Sequence, residues 1–105
     1  MGQMEARNVV DYATLTVSST AVDLTDASPA INAGTTVRRA IITLDNGGSI
    51  RWRADGTAPT SSEGHLMNPG DSLQFLDASY RTFLRKIQFI RTTSSDGNLK
   101  ITYFD

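Results

Sequence analysis

No cysteine occurs in the 105 residues. Disulfides, thiol catalysis and cysteine-ligated metals are therefore excluded together. Histidine is present once, at His65. A catalytic triad built on histidine, or a zinc site of several histidines, cannot be assembled within one chain. An excess of one charge is also missing: 10 Lys and Arg stand against 11 Asp and Glu, for a net charge of −1. Tracking a phosphate backbone needs a basic surplus, so no nucleic-acid partner is expected. No apolar run approaches the roughly 20 residues of a membrane-spanning helix. Met1 to Ala6 has no apolar signal core, and Ala6 stands where a myristoylation site needs Ser or Thr. No membrane partner and no targeting signal are expected.

What is present is ordinary for one folded domain: 39% hydrophobic and 20% charged residues. A chain this short has a thin core and no covalent staples, and association with copies of itself is one usual remedy. A homo-oligomer is expected, a trimer first. Residues 1 to 11 are aperiodic, with Met4, Val9 and Val10 as isolated apolar points, and read as an N-terminal arm. Residues 12 to 105 read as a single β domain. Tyr12 to Val17 is rich in β-branched residues and reads as a strand. Ala21 to Leu24 reads as a second, short one. Val37 to Leu44 has at its centre, Ala40 to Leu44, the most apolar run, with apolar residues on both parities, and reads as a central strand buried on both faces.

Asp45-Asn46-Gly47-Gly48 reads as a hairpin-type turn into a strand at Ile50. There Ile50 and Trp52 alternate with Arg51 and Arg53, the period of a strand with one apolar and one charged face. A long loop shaped by Gly56, Pro59, Gly64 and Pro69-Gly70 follows, and Leu73 and Phe75 resume the alternation. Tyr80, Phe83 and Leu84 have the spacing of one helical turn. Ile87 to Arg91 and Leu99 to Phe104 read as strands forming a hairpin across Asp96-Gly97, with Leu99, Ile101 and Tyr103 on one face. Seven or eight short strands with frequent turns indicate an antiparallel β-sandwich or a small barrel.

Chemistry is sparse in this pattern. Asp55 and Asp71 lie beside glycines and Asp45 two residues before one, but none has the dense oxygen-ligand spacing of a calcium loop, and they read as turn residues. His65 reads as a surface or hydrogen-bonded histidine. Trp52 shares the parity of Ile50 and reads as core; its competing use is a sugar-stacking platform in a lectin-like module with the loop of residues 54 to 71. Arg51 and Arg53 face outward, either solvated or meeting a partner's carboxylates. No catalytic constellation, metal site or cofactor site emerges, and the expectation is a protein that is not an enzyme and uses no cofactor.

Several stretches taken together carry a resemblance. They are Ile50-Arg51-Trp52-Arg53, then Asp55-Gly56-Thr57-Ala58-Pro59-Thr60, Gly64-His65 and Gly70-Asp71-Ser72-Leu73. Ile87-Gln88-Phe89-Ile90-Arg91 and a terminal Leu99-Lys100-Ile101-Thr102-Tyr103 follow. From roughly Ala40 to Phe104 the chain resembles a group of small all-β virion proteins of tailed bacteriophages. The resemblance implies a β-sandwich, jelly-roll-like, that cements or decorates a capsid. It further implies the major capsid protein and copies of itself as partners, and a place in the virion after assembly in the host cytoplasm. A tail, neck or fibre module of the same particle is the alternative it leaves open. Met4, Val9, Val10, Arg51 and Arg53 are the expected partner-contacting residues.

Overall fold

The computed structural model describes residues 8–31 and 36–105. Its strands are β1 (Val9–Val17), β2 (Val22–Asp23), β3 (Arg39–Gly47), β4 (Ile50–Arg53), β5 (His65–Met67), β6 (Ser72–Phe75), β7 (Gln88–Arg91) and β8 (Gly97–Phe104). One short helical turn, α1 (Arg81–Leu84), follows a 3-10 turn at Ala78–Tyr80.

The strands lie in two four-stranded sheets, in the orders β1-β8-β3-β6 and β2-β7-β4-β5. Every pairing is antiparallel. First pairs with last: β1 with β8, β2 with β7, β3 with β6, β4 with β5. This is one long hairpin, rolled so that alternate pairs fall into opposite sheets. Rolling brings β8 against β3 and β7 against β4, which completes the sheets. The result is a jelly roll, one of the two-sheet solutions to covering alternating strand faces.

That path explains where the sequence reading of connections differs from the structure. The Asp45–Gly48 turn does not close a hairpin, because β3 and β4 lie in opposite sheets and the turn carries the chain between them. The same holds across Asp96–Gly97: β8 already has β1 and β3 as neighbours, so β7 pairs instead with β2 and β4. Among the described connections only β4 to β5 joins consecutive strands paired to each other, across the loop of residues 54–64. The expected strand at Val37–Leu44 is interior in its sheet, but a two-layer fold gives it one core face. Ala40, Ile42 and Leu44 are buried, whereas Ile41 and Thr43 are partly exposed on the outer face. The expected helical turn near Tyr80 to Lys86 is present as α1.

The N-terminal boundary also moves. Of the arm read over residues 1 to 11, residues 1–7, Met4 included, lie outside the described residues. Val9, Val10 and Asp11 open β1, in register with the end of β8 through a bulge between Val9 and Asp11. Two flanking bonds hold this end: the Asn8 backbone N–H and side-chain amide donate to the Asp105 carboxylate at 3.1 and 3.4 Å.

The core lies between the sheets. Ala13, Leu15 and Val17 of β1 meet Leu99, Ile101 and Tyr103 of β8, and Ile42 and Leu44 of β3 belong to the same cluster as Ile50 and Phe89 of the other sheet. Arg39 is the exception to an apolar interior, at 4% exposure. Its Nε donates to the Leu76 carbonyl at 2.9 Å and its Nη1 to the Asp105 carbonyl. The buried cation is thus solvated by backbone oxygens, which offsets part of its desolvation.

Tyr103 is buried, and its hydroxyl has no hydrogen-bond partner among the described residues. Burial, and secondarily the Asp11 carboxylate, pushes its pKa from 10.0 up to about 12. The unfolded chain ionises this phenol at lower pH than the fold does. Ionisation of this group therefore leaves stability untouched below pH 10 and lowers it as pH rises to about 12. The loss is roughly 2–3 kcal/mol by linkage. Tyr103→Phe is expected to match or exceed the wild type at neutral pH and to lose less stability over that alkaline window. Urea melts of the two proteins across the window check this; parallel losses would contradict it.

Candidate binding cleft and exposed sheet face

Two surfaces stand out. The first is a cleft at the end of the second sheet. Ile50 and Met67 face each other across β4 and β5, both buried; in the next pair on the same face, two residues along, Trp52 faces His65, half-buried and exposed respectively. The inward face of the sheet therefore runs past the end of the core and emerges at this pair. The Trp52 and His65 rings lie 4.5 Å apart, tilted by 34°. Phe75 and Phe83 lie roughly perpendicular to the indole, with centroids at 6.4 and 6.3 Å. Tyr80 closes the aromatic cluster against Phe75 and Phe83 at 5.2 and 5.4 Å. Edge-to-face contacts of this kind hold the rings in one arrangement.

The cleft has a volume of about 510 Å³. Trp52, His65 and Phe83 form its aromatic wall, Arg53, Asp55 and Glu63 its polar groups, and Ala54 and Gly64 complete it. Arg53 and Asp55 form a forked ion pair, Nε to Oδ1 at 3.1 Å and Nη2 to Oδ2 at 2.5 Å. The Thr57 backbone N–H also donates to Asp55 Oδ1, at 3.2 Å. The Arg53 bond first, and that N–H second, hold the Asp55 carboxyl below its usual pKa; the same bond raises that of Arg53.

Arg51, one residue before Trp52, braces the loop from the other face of β4. Its Nε donates to the Ser61 carbonyl at 3.2 Å and its Nη1 to the Gly64 carbonyl at 2.9 Å. The outward arginines of the sequence reading thus have partners within the chain. Turn chemistry also accounts for two of the glycine-flanked aspartates: Asp55 accepts from Thr57, and Asp71 accepts from the Asn68 N–H at 2.8 Å.

The second surface is the outer face of the first sheet. Register places Tyr12, Thr102, Ile41 and Gln74 in one row across it, and Thr14, Lys100, Thr43 and Ser72 in the next. Lys100 is the single charge among these positions. At one edge, Val9, Val10 and Tyr12 are 63%, 43% and 54% exposed. Isolated exposed apolar side chains are normal, but three within four residues of one strand form a patch.

The edge of that strand is partly closed to pairing. The Tyr12 N–H is taken by its neighbour's carboxylate, Asp11 Oδ1, at 2.9 Å. Thr14 exchanges both backbone bonds with Ser28, at 3.1 and 2.9 Å. Such devices protect an edge strand from adding further strands.

The residues singled out from sequence therefore divide. Val9 and Val10 belong to the first-sheet patch. Arg51 and Arg53 lie on the second sheet, one bracing the loop and the other lining the cleft. Tyr12, which completes the patch, and His65, which completes the aromatic wall, show in the sequence only as a strand residue and a loop residue. The apolar–apolar–acid–aromatic order of Val9 to Tyr12 is the signal that could have marked the patch.

Among the described residues no group of three or more His, Cys, Asp or Glu side chains is arranged to hold a metal ion, and no helix is long and apolar enough to cross a membrane. No family model matches the chain, and no curated protein or solved structure matches it.

Proposed function

We propose that this protein is a non-enzymatic structural component of a tailed-bacteriophage virion that binds and stabilises the capsid shell. The observation that carries the reading is the low-charge outer face of the first sheet, ending in the Val9, Val10 and Tyr12 patch. Interface centres are depleted of charge, and Lys100 is the single charge among the eight positions of the two rows across this face, with Tyr12 the aromatic side chain at their edge. The partly blocked β1 edge favours contact through the face rather than through strand addition. The sequence resemblance between Ala40 and Phe104 supplies the kind of partner, the major capsid protein, and the place, the virion.

On this reading the mechanism is mechanical. A small rigid sandwich lies over a junction between shell subunits and covers its own apolar patch there. Copies of the chain associate with one another, a trimer being the expected arrangement. Repetition over a symmetric lattice makes a modest single contact effective through multivalency.

The test is co-sedimentation with purified heads stripped of the protein. The wild type is expected to saturate a fixed number of sites. Val10→Asp with Tyr12→Asp places two charges on the patch and is expected to lower head affinity by about tenfold or more, since desolvating an unpaired charge at an interface is costly. Both positions are exposed, so the double variant should melt within about 0.5 kcal/mol of the wild type. Failure of the wild type to bind heads, or equal binding by the variant, would contradict the proposal.

A further inference from the structure

We propose that the cleft beside Trp52 is a binding site for a neutral saccharide, separate from the capsid-docking face. The cleft lies at the end of the second sheet, so the inference does not depend on what the first sheet contacts.

Size and shape come first. A cleft of about 510 Å³ is in the range of small-ligand sites, which run from roughly 300 to 1,000 Å³. It would hold one or two pyranose rings. Its wall is aromatic, and a pyranose presents an apolar C–H face that packs on such a wall. The polar groups lie beside that wall, where ring hydroxyls would project. Asp55 offers carboxylate acceptors, Arg53 offers donors, and Glu63 adds a second carboxylate.

Charge then selects among ligand classes. Arg53 and Asp55 neutralise each other in a forked pair. The Glu63 carboxylate also acts on Arg53. A cationic ligand would have to compete with the Arg53 guanidinium, which already engages Asp55 and feels Glu63, and an anionic one would meet two carboxylates. A neutral ligand with many hydroxyls and one apolar face meets neither penalty and uses both kinds of polar group.

Preorganisation supports the same conclusion. Trp52 is braced by Phe75 and Phe83, and His65 is fixed opposite it by strand register. Arg51 ties the loop that carries Glu63 through the Ser61 and Gly64 carbonyls. Little ordering remains to be done on binding, which is the condition for affinity from a small contact area.

The chain's single tryptophan lines the cleft, so its fluorescence reports occupancy directly. The experiment titrates the full-length protein with a panel of neutral sugars: glucose, galactose, mannose, rhamnose, N-acetylglucosamine and their common disaccharides. Methylated lysine and citrate serve as the cationic and anionic probes. At least one neutral sugar is expected to give a saturable change with a dissociation constant between about 10 μM and a few millimolar. His65→Ala and Asp55→Asn are each expected to weaken it about tenfold. Glu63→Gln, which preserves shape, provides a second reading should either variant unfold. Val10→Asp with Tyr12→Asp is expected to bind the sugar as the wild type does, which separates this site from the docking face. No saturable response to any neutral sugar, a response confined to either charged probe, or undiminished binding by the cleft variants would overturn the proposal.

Discussion

Phe89→Ala is expected to remove about 4 kcal/mol of stability, the range measured for large aromatic truncations in well-packed cores. Phe89 is fully buried on β7, opposite Val22 of β2 on one side and Trp52 of β4 on the other. It belongs to the same buried cluster as Ile42, Leu44 and Leu99 of the opposite sheet. A domain of this length has a total stability on the order of 5–15 kcal/mol, so one substitution would use a large fraction of it. Urea denaturation checks this: the midpoint should fall sharply at an unchanged slope. A loss below about 1 kcal/mol would mean that the two sheets do not share one core at this position.

Gly47→Ala is expected to cost about 3 kcal/mol or more, from backbone conformation and collision together. Gly47 has φ of +96°, and a Cβ built there would lie 2.0 Å from the Asp96 carbonyl oxygen. The collision cannot be relieved by a side-chain rotation, because the obstacle is backbone. The position is where β3 makes its last pair, with Gly97 of β8, before the chain crosses to the other sheet. Gly56 supplies the comparison, with φ of +89° and nothing within 4 Å of its Cβ position. Gly56→Ala should show the conformational part alone, about 1–2 kcal/mol. Equal losses at the two positions, by thermal or urea melts, would contradict the collision at Gly47.

The contrast between these positions shows what the sequence could and could not convey. Alternation at Leu99, Ile101 and Tyr103 gave the core face of β8 correctly, because period two reports side-chain direction along a strand. It does not report which sheet a strand enters. The turns at Asp45–Gly48 and Asp96–Gly97 therefore looked like hairpins, although both cross between sheets. Their local chemistry is that of a tight reversal in either case. β5, at His65–Met67, was too short for any periodic signal, and its existence depends on pairing with β4.

The same distinction governs the two surfaces. Parity placed Trp52 on the inward face, yet it could not show that this face outruns the core at Trp52. His65 became part of the wall only through its register opposite Trp52. Arg51 and Arg53 were legible as outward-facing. Their partners, the Ser61 and Gly64 carbonyls and the Asp55 carboxylate, depend largely on a loop conformation that composition does not specify. Val9 and Val10 were legible as apolar points but not as strand, because neither parity there is buried.

The proposal of capsid binding through the first sheet is tested most directly by a cryo-electron-microscopy reconstruction of particles saturated with this protein. The account predicts density over junctions of the capsid shell, with the outer face of β1, β8, β3 and β6 turned toward the shell and Tyr12 in contact. The cleft at Trp52 should remain open to solvent. Density confined to the neck or tail, or a capsid contact made through the second sheet with Val9, Val10 and Tyr12 left exposed, would contradict it.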